Sequence, residues 1–396
     1  MVSSRTKKVS GVSQLGVLFV IASILFLPGV TRAQSSNFKA PSVITLMTYG
    51  VTATAYSMYG FLGEAMLDKY GTKLRAIPAS NDVARWIPAK EKKAQFVGQG
   101  GDIYYITEGL DRYSTLKWGP QPIRVVWFAR QPGLVGLVRG DSGIRTCADL
   151  KGKRLPWIPG SIFNTFHEAW LAFANLTWND VIKVPVSGFG GMLRALIDGK
   201  IDMAVAAITV PPAYELASST HGLGYVQLPA ADKAGWDRFT KIIPFASPYK
   251  ATYGPDLSED HPIECASYAY PATACYDFVD NDTAYFMTKA INECFPEMSK
   301  KSELMKRFWS LKGCLELYKA SRGYIFHPGS VRYLKEIGVW NSDFDALQAK
   351  RLEREKRLAE LWKKTVAEAK AKNIDSKDFP KFWLEKHAET FSTLPE

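Results

Sequence analysis

The sequence predicts an α/β protein of two lobes with a helical C-terminal extension. Three observations carry this expectation. Strand-like and helix-like segments alternate in two successive blocks, and after Asp280 the pattern turns helical almost to the end. The exported part, about 360 residues long, also exceeds what one hydrophobic core usually supports, so two cores are expected. With 46% hydrophobic residues, each lobe has ample apolar material and does not need disulfides to hold it.

The chain begins with Arg5, Lys7 and Lys8, a basic stretch ahead of an uncharged run from Val9 to Thr31. The apolar centre, Leu15 to Leu27, is short for a membrane span and leads through Pro28 to Thr31-Arg32-Ala33, a small-x-small cleavage site. Residues 1–33 therefore read as a cleaved signal peptide, which places the protein in the periplasm; an uncleaved anchor over Val9 to Val30 is the alternative. Cleavage removes four cations and no acid, lowering the net charge from +11 to +7. The remaining surplus forms no block of like charge and no aromatic-basic stripe, which excludes nucleic acid as the expected partner.

The first block opens with the β-rich Val43-Ile44-Thr45-Leu46, and the small residues from Thr48 to Ser57 lead into a helix from Met58 to Lys69. A strand over Leu74 to Ile77, a helix over Asp82 to Lys93 and a strand from Ala94 to Val97 follow, before Gly98-Gln99-Gly100-Gly101. The second block has strands Arg154–Ile158, Ile182–Val186 and Met203–Ala207, with helices Thr165–Ala174 and Gly191–Ile197 between them. Gly199 suits the left-handed position after a helix end, where the missing side chain removes the steric penalty. Alternation of this kind implies mostly parallel sheets. Extended apolar runs at Ile123–Phe128, Leu134–Val138 and Ser267–Ala272 are placed to carry the chain between lobes. The expected division is residues 42–135 plus 263–340 for lobe 1, 136–262 for lobe 2, and 341–396 for the helical extension.

In the last part, Asp282 is positioned to cap a helix from Thr283 to Phe295, and Pro328 sits near the first position of another. From Asp343 to Lys372, Leu347, Leu352, Leu358, Leu361, Trp362 and Val366 recur at helical spacing among charges. This amphipathic helix reads as a clasp on the body, with a membrane-surface or partner helix as the second reading. Five cysteines remain in an exported chain; Cys265 with Cys275 and Cys294 with Cys314 are the local pairings, leaving Cys147 as a buried apolar filler.

Over Ser42 to Trp340 the residues resemble the TAXI-type solute receptors of TRAP transporters. The stretch from His327-Pro328-Gly329-Ser330 to Glu336-Ile337-Gly338 carries most of the resemblance, supported by Ser142-Gly143-Ile144 to Lys151-Gly152-Lys153-Arg154 and the Pro159-Gly160-Ser161 loop. The resemblance implies a two-lobed type II periplasmic binding protein fold, a hinge, and delivery of a small organic anion to TRAP membrane permease subunits. It departs at two loops. The family's Gly-rich first loop with its Thr-Tyr-Tyr-Pro run is here Thr48-Tyr49-Gly50-Val51-Thr52-Ala53-Thr54-Ala55-Tyr56-Ser57, and its Gly-Ser-Gly-Thr-Glu loop is Gly160-Ser161-Ile162-Phe163-Asn164. Larger side chains at both loops reshape the pocket, so the family's amino-acid and dicarboxylate ligands do not carry over.

In open parallel sheets, ligands sit beyond the carboxyl ends of the strands, where helix N-termini offer free N–H groups. The two loops occupy that place, one per lobe. Tyr49 gives an aromatic wall and Thr52, Thr54 and Tyr56 give hydroxyls; Ser161, Phe163 and Asn164 meet the ligand from the other side, or merely cap their helix. Gln99 forms a polar floor, Asp102 reads as a helix cap, and Thr209 borders the cleft ahead of a turn fixed by Pro211 and Pro212. Arg85 either pairs with a carboxylate or lies on a solvated face. Tyr49 and Phe163 at the loops, in a chain with 13% aromatics, point to a carboxylate ligand with an apolar or aromatic part.

No cofactor or metal is expected, since the histidines His167, His221, His261, His327 and His387 are scattered and no HExxH, paired-Cys or Gly-x-Ser-x-Gly motif is present. A Cys147–His167 pair would lack a third orienting group, so the chain reads as no enzyme. A sensor that presents its closed form to a signalling receptor is the alternative function, and both monomer and dimer stay open.

Overall fold

The computed structural model describes residues 40–321 and 323–391, so the leader lies outside the described residues. The first sheet grows from right-handed βαβ grammar: β1 (Val43–Thr48), α1 (Thr54–Tyr70), β2 (Lys73–Pro78), α2 (Asp82–Lys90), β3 (Phe96–Gln99), α3 (Asp102–Glu108) and β4 (Ile123–Arg130). Strand β1 pairs in parallel with both β2 and β3, as helical crossovers require. The sheet is completed by β12 (Ala269–Tyr276), which returns late in the chain and runs antiparallel between β3 and β4 in the order β2-β1-β3-β12-β4. Every residue of β3 and β12 is buried, the mark of central strands covered on both faces.

Residues 131–133 cross to the second lobe, which contains β5 (Leu134–Arg139), β6 (Arg154–Trp157), α4 (Ile162–Phe173), β7 (Ile182–Pro185), α5 (Gly188–Ile197), β8 (Ala204–Ala207), α6 (Pro211–Ala217), β9 (Leu223–Val226), α7 (Lys233–Ile242), β10 (Ser247–Ala251) and β11 (Ile263–Ser267). Its main sheet, β10-β11-β5-β8 with β9 also on β5, is antiparallel at every pairing, and β6 and β7 form a separate parallel pair. The mostly parallel expectation fails here because β5, the strand that enters from the first lobe, runs against the units that follow it. The return crossing falls at Tyr268, since β11 pairs with β5 and β10 in the second sheet. The two crossings lie side by side: Gln131 N–H donates to the Tyr268 carbonyl at 3.0 Å and Ser267 Oγ to the Gln131 carbonyl at 2.9 Å.

Back in the first lobe, α8 (Asn281–Lys301), α9 (Glu303–Phe308), α10 (Leu311–Ala320) and α11 (Pro328–Glu336) cover the sheet. The cap of α8 is Asp280, whose side chain accepts the Thr283 N–H at 2.8 Å; Asp282 lies in the first turn instead. The extension, α12 (Ser342–Ala371) and α13 (Phe379–Thr390), folds onto this lobe. Its buried seam is Phe344, Arg351, Leu358, Thr365 and Ala369, while Leu352 turns outward. Arg351 takes a core position because it donates to the Tyr318, Ser321 and Tyr324 carbonyls in and after the last turn of α10. No helix among the described residues is long and apolar enough to cross a membrane.

The expected disulfides do not form: all five cysteines are free and buried. Cys265 lies on β11 in the second sheet and Cys275 on β12 in the first, while the Cys314 sulfur accepts the Phe128 N–H at 3.3 Å. Burial pushes the thiols of Cys147, Cys265 and Cys314 up to about 12, which keeps them protonated and unreactive.

Candidate functional site

The carboxyl ends of β1 and β3 and the N-termini of α1, α2 and α3 form one edge of the first lobe. The N-termini of α4 and α6 face them from the second. Direct polar contacts cross the gap, among them one from Thr165 Oγ1 to Asp111 Oδ2 at 3.0 Å. Thr54 Oγ1 meets Thr209 Oγ1 at 3.2 Å, and Asp82 Oδ2 accepts the Ile162 N–H at 2.8 Å. Arg112 donates to Thr165 Oγ1 at 3.2 Å and the Tyr105 hydroxyl to the Ile242 carbonyl at 2.7 Å. The cleft is therefore drawn shut.

Behind these contacts lies a buried polar cluster. The Arg85 guanidinium lies 3.8 Å from the Tyr49 ring centre, pairs with Asp82 and donates to Gln99 Oε1 at 3.2 Å. Gln99 Oε1 also accepts the Tyr49 hydroxyl at 2.6 Å, so one amide oxygen joins ring and guanidinium. Asp102 accepts from Trp86 Nε1 at 3.2 Å, Gln99 Nε2 at 3.3 Å and the Tyr113 hydroxyl at 2.5 Å, and pairs with Arg112. Arg112 also pairs with Asp111 at 2.8 Å, so two arginines meet three aspartates. Burial, reinforced by Asp82, pushes the Asp102 carboxyl up, against the pull of Arg112. Burial likewise pushes the Tyr49 phenol well up, so it remains a donor.

Over the cluster stands a wall of tyrosines. A side chain on Gly100 would meet Tyr270 Cδ2 at 2.8 Å, Tyr268 Cε2 at 3.0 Å and Tyr49 Oη at 3.4 Å, so the three rings converge on bare backbone. Tyr49 and Tyr270 pack edge to face with centroids 5.4 Å apart. On the opposing lobe Phe163 stacks on Phe189 at 4.6 Å. A cavity of about 320 Å³ beside the crossing strands is lined by Arg130, Thr240, Phe245, Ser267, Tyr268 and Ser321, among others.

Of the residues singled out by sequence, Tyr49, Gln99, Thr54 and Thr209 lie together at the closed cleft. Thr52 is half-buried, its Oγ1 3.4 Å from where a side chain on Gly190 of α5 would begin. Tyr56 is half-buried in the first turn of α1. Ser161 caps α4 by accepting the Phe163 N–H at 3.3 Å. The Asn164 amide closes its own loop, accepting the Ile158 N–H at 2.9 Å and donating to the Ile158 carbonyl at 2.6 Å. Asp102 is not a cap either: Gly101 holds that position and the carboxylate turns inward. Asp82, Arg112, Tyr113, Tyr268 and Tyr270 were not expected; only Asp82 with Arg85, three residues apart at a helix start, left a local signal. His167 is no base for Cys147, since Nδ1 meets the Phe163 carbonyl at 2.5 Å and Nε2 accepts the Val205 N–H at 3.1 Å.

Two sheets joined by adjacent crossings, with facing helix N-termini at a closable cleft, define the type II fold of periplasmic solute-binding proteins. Residues 52–338 match the NMT1-like family, and the chain belongs to it. Among solved structures it is similar to the alkanesulfonate-binding protein SsuA from Xanthomonas axonopodis pv. citri bound to MOPS, at 13% identity over 81% of this chain and 92% of that one, with a TM-score of 0.41. It is also similar to R. palustris Rpa4515 with adipate, at 13% identity over 81% and 98%, TM-score 0.46. The periplasmic aliphatic sulphonate binding protein SsuA from Escherichia coli is similar at 16% identity over 81% and 94%, TM-score 0.41.

Proposed function

We propose that this chain is exported to the periplasm by its leader, captures a small organic acid with an apolar or aromatic body by hinge closure, and hands it to a membrane permease. The observation that carries the reading is the convergence of Tyr49, Tyr268 and Tyr270 over Gly100, beside a buried arginine and opposite the N-terminus of α4. Tyrosine faces accept an apolar body while guanidinium and helix N–H groups accept a carboxylate. The resemblance of residues 327–338 and 142–154 to TAXI receptors makes a TRAP permease the partner to test first.

The direct test is mass spectrometry of small molecules released from the purified protein, followed by calorimetric titration with the acids found and with glutamate, benzoate and phenylacetate. Aromatic acids are expected to bind more tightly than glutamate. Tight glutamate binding with none for aromatic acids would remove the apolar-body reading, and binding of no acid at all would remove the function. Uptake through a reconstituted TRAP permease that does not depend on this chain would remove the partner.

A further inference from the structure

The donors that a solute carboxylate needs at α4 are already in use by an acid of the protein itself. Asp82 is fully buried, and its two oxygens bridge the lobes: one accepts the Ile162 N–H in the first turn of α4 at 2.8 Å, and the other pairs with Arg85. A helix N-terminal N–H together with a guanidinium is a complete carboxylate cradle. Asp82 is not needed there to start its own helix, because Asn81 caps α2 by accepting the Ala84 N–H at 2.8 Å. Arg85 is itself only 2% exposed, and its Nε has no hydrogen-bond partner among the described residues, so the guanidinium holds donor capacity that Asp82 does not use.

Charge balance decides what happens when a second acid arrives. Arg85 pairs with Asp82, and Arg112 pairs with both Asp102 and the partly exposed Asp111, so neither guanidinium is free of a carboxylate and a solute carboxylate added to the closed cleft would bring an uncompensated negative charge. Such a charge is strongly disfavoured in a desolvated site. A carboxylate then has to give way, and Asp82 is the one whose contact spans the two lobes: it stands in the first turn of α2, where its own helix N-terminus still favours a negative charge after it lets go of α4.

We propose that Asp82 is a resident surrogate for the solute's carboxylate, which latches the empty cleft shut and is displaced from Arg85 and the α4 N-terminus when a solute acid binds. The proposal rests on the solute-capture reading above and adds its regulation. Closure without solute is then the resting state, and selectivity comes from competition: an acid binds only if its contacts with the tyrosine wall outweigh those that Asp82 gives up. Neutral amides of the same acids lack the charge to compete for Arg85.

The test uses the full exported chain and its Asp82→Asn variant, with benzoate, phenylacetate and glutamate as acid probes and benzamide and benzylamine as their neutral and cationic counterparts. Solute-free wild type is expected to be compact in X-ray scattering, with the Ile162 amide protected from hydrogen exchange. Solute-free Asp82→Asn is expected to have a larger radius of gyration, and its affinity for the best acid probe to rise at least about tenfold. An Ile162 amide that exchanges as freely in wild type as an exposed one overturns the latch, and this reading needs no variant to fold. Unchanged compactness and acid affinity in Asp82→Asn also overturn it, as does tight benzylamine binding that the variant abolishes, which would make Asp82 a direct partner of a cationic solute. If neither chain binds any acid, the solute reading fails instead; exchange at Ile162 and scattering report on the latch without solute, so the two failures are told apart.

Discussion

Three tyrosine rings meet over Gly100, and that single missing side chain makes the wall possible. A methyl there would lie 2.8 Å from Tyr270 Cδ2 and 3.0 Å from Tyr268 Cε2, closer than packed carbons approach. Gly100→Ala is therefore expected to cost about 1–3 kcal/mol in denaturant unfolding and to weaken solute binding, as overpacking of a rigid site does. His167 provides a second prediction. Burial pulls its imidazole from 6.5 down to about 4, because Nε2 must stay unprotonated to accept the Val205 N–H. Between those two values the unfolded chain binds a proton that the folded chain refuses, so this group's contribution is complete above about 6.5 and is lost as pH falls toward 4, by roughly 3 kcal/mol in all. Asp102, held up by burial, works in the opposite sense, so the stability difference between wild type and His167→Gln across that window isolates the histidine. At this scale, the placement of Tyr49, Gln99, Thr54 and Thr209 along the edge between the lobes was legible from position, since they follow strand ends. Asp82, Tyr268 and Tyr270 could not, because they reach the cleft through a helix start and a returning strand far away in sequence. The loop bonds of Asn164 could not be read either, because a polar residue beside a loop serves the loop as readily as a ligand.

The C-terminal extension shows what an element adds that no single residue does. Arg354 and His387 both reach Glu108 at 2.9 Å, Glu355 holds Arg124 through two bonds at 2.5 and 2.9 Å, and the Trp383 indole donates to the Gly109 carbonyl at 2.7 Å. Trp383 also packs edge to face on Trp362 at 4.8 Å and is fully buried. Trp383→Ala should cost about 3–5 kcal/mol and loosen the pair of helices as a unit. Hydrogen exchange is expected to accelerate across 342–391 while the strands of both sheets stay protected; acceleration throughout the chain would show that the extension holds the lobe itself together. The amphipathic period of this helix was legible, but the face was not: Arg351 sits in the seam because three carbonyls in and just after the last turn of α10 take its protons. The βαβ units of the first sheet were legible for the opposite reason, since their strands are locally β-rich and their helices locally periodic. The antiparallel pairing of β5 with β8, β9 and β11 depends on where the chain has come from, which no local window contains.

For the whole molecule, the proposed function reduces to one equilibrium between open and closed lobes about the paired crossings at Gln131 and Tyr268. Each polar contact across the cleft biases that equilibrium without touching the stability of either lobe, and the Thr54–Thr209 pair separates the two effects most cleanly. In the closed form Thr54 is 1% exposed and Thr209 7%, so removing one hydroxyl strands the other away from water. Thr209→Val keeps the shape and should disfavour closure by about 1–2 kcal/mol, the cost of an unsatisfied buried hydroxyl. Solute affinity would fall by up to roughly five- to thirtyfold, with the full loss in the Asp82→Asn background, where the solute-free cleft rests open and binding must supply that much more of the closing free energy. The double variant Thr54→Val with Thr209→Val leaves no stranded group, so it should recover most of the lost affinity, while denaturant midpoints of all three chains stay close to wild type. Equal losses in the single and double variants would mean that the hydroxyls act on the solute directly and that the contact between the lobes is incidental.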